Sequence, residues 1–169
     1  MFDIVVIGAG PTGSVSALTF AKAGYNVAVV DPVDRAGIAA NQNSDDTQDR
    51  RTTAHLTPTV KFLEGLGIWK EISLNACALE RLVIIEDSSQ NLISKRQKRT
   101  VFDPLDLGNQ NFGYNVPLRD NLEGLAKLVK ANRNITTFFG IGLQSFVQDD
   151  EVVSGILTDG STIEAKLLI

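Results

Sequence analysis

The segment that decides the fold lies at the start of the chain. Residues 3–13 have the sequence Asp3-Ile4-Val5-Val6-Ile7-Gly8-Ala9-Gly10-Pro11-Thr12-Gly13. Its first half is apolar and β-branched, which is typical of a parallel strand buried on both faces. Its second half is G-x-G-x-x-G, and the helical spacing of Val15, Leu18 and Ala21 predicts a helix there, over residues 11–23. A strand, a glycine-rich turn and a helix in this order predict the first half of a nucleotide-binding β-α-β unit.

Each residue of the glycine-rich turn has an expected role. Gly8 permits the tight turn, Gly10 lets the backbone approach a diphosphate, and Gly13 allows the helix to pack closely on the strand. Pro11 and Thr12 begin the helix, whose free amides and dipole supply an anion site. The alternative is a glycine-rich turn that serves packing only, and the motif by itself leaves both interpretations open.

An acidic residue follows at the spacing that a dinucleotide site requires. Asn26 to Val30 form the predicted second strand, and Asp31 comes directly after it. A carboxylate at this point can accept hydrogen bonds from the ribose hydroxyls of an adenosine moiety. A solvated carboxylate at the strand end is the alternative. The pattern does not distinguish FAD from NAD, because both contain an ADP half.

The middle of the chain predicts a change of topology. Residues 34–50 are polar and predict a long surface loop, and Thr57 followed by Pro58 predicts a helix start. Two strand-like segments, Leu79–Glu86 and Asn91–Lys95, flank a polar turn and predict an antiparallel hairpin.

The last part of the chain predicts a return to the first sheet. A helix is expected over Leu118–Asn132, followed by a parallel strand over Ile135–Phe139. Three short strands with hairpin signals between them then predict an antiparallel meander: Leu143–Phe146, Val152–Thr158 and Ser161–Ala165. Lys166–Ile169 is expected to begin a further strand.

The amino-acid composition argues against several classes of function. Sixteen Lys and Arg against twenty Asp and Glu give the 169 residues a formal charge of -4, which argues against a nucleic-acid surface. One cysteine and one histidine, Cys77 and His55, cannot form an internal disulfide or a Cys/His zinc site, so we expect no metal and a reducing, cytoplasmic compartment. No apolar run reaches the ~18 to 20 residues that a membrane-spanning helix needs.

Other candidates have ordinary alternatives. Arg50 and Arg51 are solvated charges or part of a site. His55 is expected to be a surface or partly buried packing residue rather than a catalyst, since no acid partner is placed beside it in the sequence. The basic cluster 95–99 is either a solvated strand end or a surface attracted to anionic lipid headgroups.

Three blocks of the chain together resemble a known family. Residues 3–13 resemble its FAD fingerprint, Arg51-Thr52-Thr53-Ala54 leading to Leu66-Gly67-Ile68-Trp69 resembles a second block, and Phe112-Gly113-Tyr114-Asn115-Val116-Pro117 resembles a third. The chain is thereby similar, along essentially its whole length, to the amino-terminal part of the ubiquinone-biosynthesis hydroxylases, which are class A FAD-dependent monooxygenases.

The resemblance implies a fold and a division of the chain. It implies an α/β, FAD-type Rossmann-like fold with a three-stranded antiparallel meander and the beginning of a substrate-domain β-sheet. Residues 1–75 would form the FAD-binding βαβ core and the following helix, residues 76–110 would belong to the substrate domain, and residues 111–169 would return to the FAD-binding domain, which is truncated. Arg51 would reach toward the flavin and the nicotinamide entry, and Arg119 would lie near the flavin's ribityl chain.

The resemblance also implies an activity. The full-length protein would use FAD, with NAD(P)H as reductant and O2 as co-substrate, to hydroxylate a polyprenylated phenol or quinol. It would work in the cytoplasm, with peripheral association at the inner face of the membrane or with a biosynthetic complex. The family's later glycine-aspartate motifs are absent, so we expect these residues to be an inactive fragment with no nameable catalytic residue. Two alternatives stay open: another FAD-dependent oxidoreductase, such as a small-aromatic hydroxylase or prenyl-lipid reductase, and a non-catalytic nucleotide-binding remnant.

Overall fold

A computed structural model describes residues 1–34, 50–86 and 98–169. The described helices are α1 (Pro11–Lys22), α2 (Thr57–Leu66), α3 (Trp69–Ile72) and α4 (Leu118–Ala131), with a 3-10 helix over Pro104–Leu107. The described strands are β1 (Phe2–Ile7), β2 (Val27–Asp31), β3 (Thr52–Leu56), β4 (Cys77–Ala78), β5 (Leu82–Glu86), β6 (Lys98–Phe102), β7 (Gly113–Pro117), β8 (Ile135–Phe139), β9 (Leu143–Gln148), β10 (Val153–Leu157) and β11 (Thr162–Leu168).

The main sheet has six strands in the order β8-β2-β1-β11-β10-β9. The strands β8, β2, β1 and β11 run parallel to one another, and β11, β10 and β9 form an antiparallel meander. The predicted fold class, an FAD-type Rossmann-like fold with a three-stranded meander, is therefore confirmed.

The core explains why the first strands are so apolar. Every residue of β2 is buried, and so are Ile4, Val5 and Val6 of β1. Alternate side chains enter two clusters: Ile4 and Val6 pack in the cluster that includes α1 and α4, while Val5 packs in the cluster that includes β10 and β11. Because each such side chain stabilises the fold by about 1.5 to 3 kcal/mol when buried, an unbroken apolar strand is required here.

A second sheet stands beside the first. It has the antiparallel order β3-β7-β4, with Thr52 opposite Pro117 and Leu56 opposite Gly113. The sequence predicted no strand over residues 52–56, because only His55 of that strand is buried and no apolar alternation is present.

The predicted hairpin forms with a different second strand. β5 pairs antiparallel with β6, so Leu82 lies opposite Phe102 and Glu86 opposite Lys98. The predicted segment Asn91–Lys95 and most of the predicted loop 34–50 lie outside the described residues. The assignment of residues 76–110 to a separate substrate domain stays a prediction.

The expectation for the last residues is wrong. Residues 166–168 do not begin a new strand but continue β11, which lies between β1 and β10. The register places Leu167 opposite Ile4 and Leu168 opposite Val5. These residues are paired within the main sheet because their backbone extends the parallel ladder with β1.

Candidate functional site

The glycine-rich turn joins β1 to α1 at the carboxyl end of the parallel strands. Gly8 has a φ of 103°, in the region that favours glycine, and its N–H donates to the Val30 carbonyl at 2.7 Å. The turn is therefore attached to the end of β2 and depends on the conformational freedom of Gly8.

Gly13 is needed for packing at the same turn. A Cβ at this position would lie 1.9 Å from the Gly8 carbonyl oxygen and 3.3 Å from a Val6 methyl carbon. No side chain fits there without moving α1 away from β1. The expected close packing of helix on strand is therefore observed.

Gly10 has a different reason to lack a side chain. It is the N-cap of α1, with an extended conformation and no side-chain cap, and Pro11 follows in the first turn. A Cβ on Gly10 would meet no atom within 4 Å among the residues that the structure describes. The first-turn amides of a helix have no intrahelical partner, so this open space above them fits an anionic group such as a diphosphate. The predicted diphosphate contact of Gly10, Pro11 and Thr12 stays a prediction.

Asp31 is the last residue of β2, and its side chain is buried against the glycine-rich turn. Only 3% of its surface is exposed. Its Oδ2 accepts a hydrogen bond from Ala9 N at 2.6 Å, and its Oδ1 accepts one from Val33 N at 2.8 Å. The alternative of a solvated carboxylate at the strand end is therefore wrong. A contact between Asp31 and a ribose stays a prediction.

The two predicted arginines are placed by the second sheet. Pairing of β3 with β7 brings Arg51, which precedes β3, to the start of α4, where its carbonyl accepts from Leu118 N at 2.9 Å. Arg119 is the next residue of α4, and its Nε donates to Glu123 Oε1 at 2.6 Å. That hydrogen bond raises the pKa of the Arg119 guanidinium further above its usual range. The roles of Arg51 and Arg119 toward a flavin stay predictions.

A buried polar pair was not predicted. His55 Nε2 lies 3.0 Å from Asn121 Oδ1, and both residues are buried. The His55 ring also packs edge-on against Trp69 at 5.9 Å between centroids. The available signal was the position of Asn121, which lies four and eight residues before Leu125 and Val129 and thus on their apolar face. The pair joins β3 to α4. His55 is a packing residue as expected, but it is buried rather than at the surface or partly buried.

The described residues also bear on metal binding and on membrane insertion. Within residues 1–34, 50–86 and 98–169, no group of three or more His, Cys, Asp or Glu side chains could hold a metal ion. In that same part of the chain, no helix is long and apolar enough to cross a membrane.

Comparison with known proteins defines the family. Residues 1–169 match the model of a family described as FAD binding domain. The chain belongs to this family. The open space at Gly10 and the buried carboxylate at the end of β2 fit an ADP-containing cofactor, as this membership requires.

Curated relatives are longer than this chain. It is 27% identical over 168 residues to 3-demethoxyubiquinol 3-hydroxylase of Escherichia coli K12, covering 99% of this chain and 40% of the relative. It is 24% identical over 168 residues to a probable electron transfer flavoprotein-quinone oxidoreductase, YdiS, of the same organism, covering 35% of that protein. The chain thus spans less than half the length of these relatives.

Solved structures share the fold. The p-nitrophenol 4-monooxygenase PnpA from Pseudomonas putida DLL-E4 superposes with a TM-score of 0.72 at 18% identity, over 99% of this chain and 40% of that one. The flavin-dependent monooxygenase PieE, in complex with FAD and substrate, superposes with a TM-score of 0.72 at 18% identity, over 99% of this chain and 29% of that one. Residues 1–169 therefore have a fold that is also found in flavin-dependent monooxygenases.

Proposed function

We propose that this chain is the FAD-binding part of an FAD-dependent aromatic-ring hydroxylase that acts in ubiquinone biosynthesis. The observation that carries the proposal is the similarity to 3-demethoxyubiquinol 3-hydroxylase, which extends over 99% of the chain. The family and the shared monooxygenase fold support the broader class, FAD-dependent monooxygenase. The substrate would be a polyprenylated phenol or quinol.

The residues of the β1–α1 turn would hold the ADP half of FAD. Gly8 shapes the turn, Gly13 brings α1 close to it, and the space at Gly10 would receive the diphosphate. Asp31 would accept from the ribose. When bound, FAD supplies the redox chemistry, with NAD(P)H as reductant and dioxygen as oxidant.

Arg51 and Arg119 would serve the flavin end of the cofactor. Both belong to the junction of β3, β7 and α4, where the Arg51 carbonyl accepts from Leu118 N. Two cations at one junction favour an anionic or electron-rich group there. To serve a ligand, Arg119 would exchange its partly exposed ion pair with Glu123 for the new contact, which costs little for a pair that remains in contact with solvent.

A second candidate keeps the flavin and changes the reaction. Similarity to a probable electron transfer flavoprotein-quinone oxidoreductase favours another quinone-linked oxidoreductase without hydroxylation. Under either candidate, we propose that the protein works in the cytoplasm. It would associate peripherally with the inner membrane face or with a biosynthetic complex, and it would not bind nucleic acid.

The deciding experiment uses a protein that continues beyond residue 169. It should purify with flavin absorbance, and a phenolic lipid should stimulate its oxidation of NADH or NADPH and yield a hydroxylated product. A small phenol serves as the matched control, because it carries the same ring without the prenyl chain. Reduction of a quinone without ring hydroxylation would favour the second candidate, and a protein that binds no flavin would contradict both.

A further inference from the structure

We infer that Asp31 is a positioning residue for the diphosphate of the cofactor, because it fixes the conformation of the turn formed by Gly8, Ala9 and Gly10. This inference rests on the proposed function of the same site. It differs from the ribose contact, since it concerns the shape of the protein before any ligand arrives.

Two hydrogen bonds attach the turn to the end of β2. Gly8 N donates to the Val30 carbonyl at 2.7 Å, and Ala9 N donates to Asp31 Oδ2 at 2.6 Å. The first bond continues the β1–β2 ladder by one residue. The second is made by a side chain, so the conformation of the turn beyond Gly8 depends on the identity of residue 31.

The Asp31 carboxylate is itself held in place. Its Oδ1 accepts from Val33 N at 2.8 Å, and its backbone carbonyl accepts from Gly140 N at 2.9 Å and from Ile141 N at 3.2 Å. The residue thus connects the turn, the chain after β2 and the end of β8. A buried acceptor fixed from three sides can orient the Ala9 amide without help from a ligand.

The hydrogen bond from Ala9 N to Asp31 Oδ2 fixes the orientation of the peptide group between Gly8 and Ala9. In a trans peptide the N–H and the carbonyl point in opposite directions, so an Ala9 N–H directed at Asp31 directs the Gly8 carbonyl oxygen to the other side. That oxygen lies where a Gly13 side chain would be, against α1. A reversed peptide would bring the Gly8 oxygen against the Asp31 carboxylate, which is repulsive.

This restraint matters because glycines flank Ala9. Glycine loses more conformational freedom on ordering than any other residue, so a free turn would have to be ordered when the diphosphate binds. With Asp31 in place, that ordering is already complete in the folded protein. Asp31 should therefore favour ligands with a diphosphate over ligands without one.

The test compares ADP with adenosine, measured by calorimetric titration on the longer protein that the functional experiment uses. Both ligands contain the ribose, and only ADP contains the diphosphate. We expect Asp31→Asn, in which one of the two acceptor oxygens becomes a donor, to lower the ratio of ADP affinity to adenosine affinity at least about tenfold. Asp31→Glu, which keeps the charge but moves it by one methylene, should lower the ratio in the same direction.

Other roles of Asp31 predict different changes in the ratio of ADP affinity to adenosine affinity. If Asp31 acts on the ribose alone, both affinities fall equally and the ratio stays constant, which overturns the inference. If the main effect is removal of a negative charge near an anionic ligand, the ratio rises, which also overturns it. The matched control is Asp149→Asn, since Asp149 Oδ1 also accepts two backbone amides, from Glu151 and Val152, both at 2.8 Å. That variant should leave the ratio unchanged.

A measurement on the unaltered chain covers the case in which the variants do not fold. In the absence of ligand, the Ala9 amide should exchange with solvent much more slowly than an unstructured amide, and exchange at the unstructured rate overturns the inference. If the unaltered chain binds ADP no better than adenosine, the dinucleotide site itself fails. If it prefers ADP and Asp31→Asn keeps that preference, only the role of Asp31 fails.

Discussion

Among the single residues, Gly10 and Gly13 belong to one motif but lack a side chain for different reasons. Gly13 is constrained by packing inside the protein, and Gly10 by the approach of the ligand. Gly13→Ala should destabilise the protein by at least about 1 to 3 kcal/mol, because its Cβ would lie 1.9 Å from the Gly8 carbonyl oxygen. Gly10→Ala should cost only about 0.5 to 1 kcal/mol as an N-cap change, and yet weaken ADP or FAD binding at least tenfold. Thermal unfolding and ligand titration of both variants separate the two effects. Normal FAD retention by folded Gly10→Ala would contradict the diphosphate site.

At the scale of elements, the approach of α3 to α4 depends on Gly124. A Cβ there would lie 2.6 Å from the Glu71 carbonyl oxygen and 2.9 Å from an Ile72 methyl carbon. We expect Gly124→Ala to lower the free energy of unfolding by about 1 to 3 kcal/mol, despite the better helix propensity of alanine. Gly65→Ala in α2 is the control, because its Cβ would meet nothing within 4 Å in the described part of the chain. That variant should be neutral or gain up to about 1 kcal/mol in chemical denaturation.

The hydrogen bond between His55 and Asn121, which joins β3 to α4, leads to a separate prediction. Replacing either His55 or Asn121 by leucine leaves a buried polar group without its partner, which costs about 1 to 3 kcal/mol. The double variant His55→Leu/Asn121→Leu removes both polar groups and should recover most of that loss. A double-mutant cycle from urea denaturation measures the coupling, and strictly additive losses would show that the pair has no specific role.

The same elements show what the sequence could predict. β1, α1 and β2 were predicted to within about a residue, because apolar strands and a proline at the helix start are local signals. β3 was missed because its Thr-Thr-Ala-His-Leu sequence has no alternation and its partner, β7, lies far along the chain. In the site, the glycines followed from their spacing. The bond from Ala9 to Asp31 did not, since it depends on the relative position of two strands.

At the scale of the whole molecule, one ion pair joins the two ends of the chain. Asp3 Oδ1 lies 2.7 Å from Lys166 Nζ, and this hydrogen bond lowers the pKa of Asp3 and raises the pKa of Lys166. A lowered carboxyl pKa stabilises the fold above the unfolded value, near 3.9, and the effect is lost as pH falls through the folded value. A raised lysine pKa stabilises below the unfolded value, near 10.4, and is lost as pH rises through the folded value. Asp3→Asn should therefore lower the Tm at pH 7, with the difference vanishing in acid. A difference that persists unchanged in acid would assign it to something other than the charge.

The exposed apolar side chains of the molecule determine whether residues 1–169 should associate when they are studied alone. β11 is paired on both sides, so the backbone of the last strand does not leave an open edge. Five exposed apolar side chains are concentrated instead on the hairpin of β5 and β6, where Leu82, Ile84, Ile85, Val101 and Phe102 are each 42% to 58% exposed. Leu82, Ile84 and Phe102 share one face of the hairpin, and Ile85 and Val101 share the other. Exposed apolar faces of this kind promote association. We expect residues 1–169 to self-associate in sedimentation experiments, to bind FAD weakly and to hydroxylate nothing, and we expect Ile84→Thr/Ile85→Thr to shift the chain toward monomer. As a control, Leu74→Thr changes an apolar side chain that is 86% exposed but lies outside the hairpin, and it should leave association unchanged. Association that is insensitive to the hairpin variant would locate the interface elsewhere, and a hydroxylated product from residues 1–169 alone would show that they form a complete enzyme.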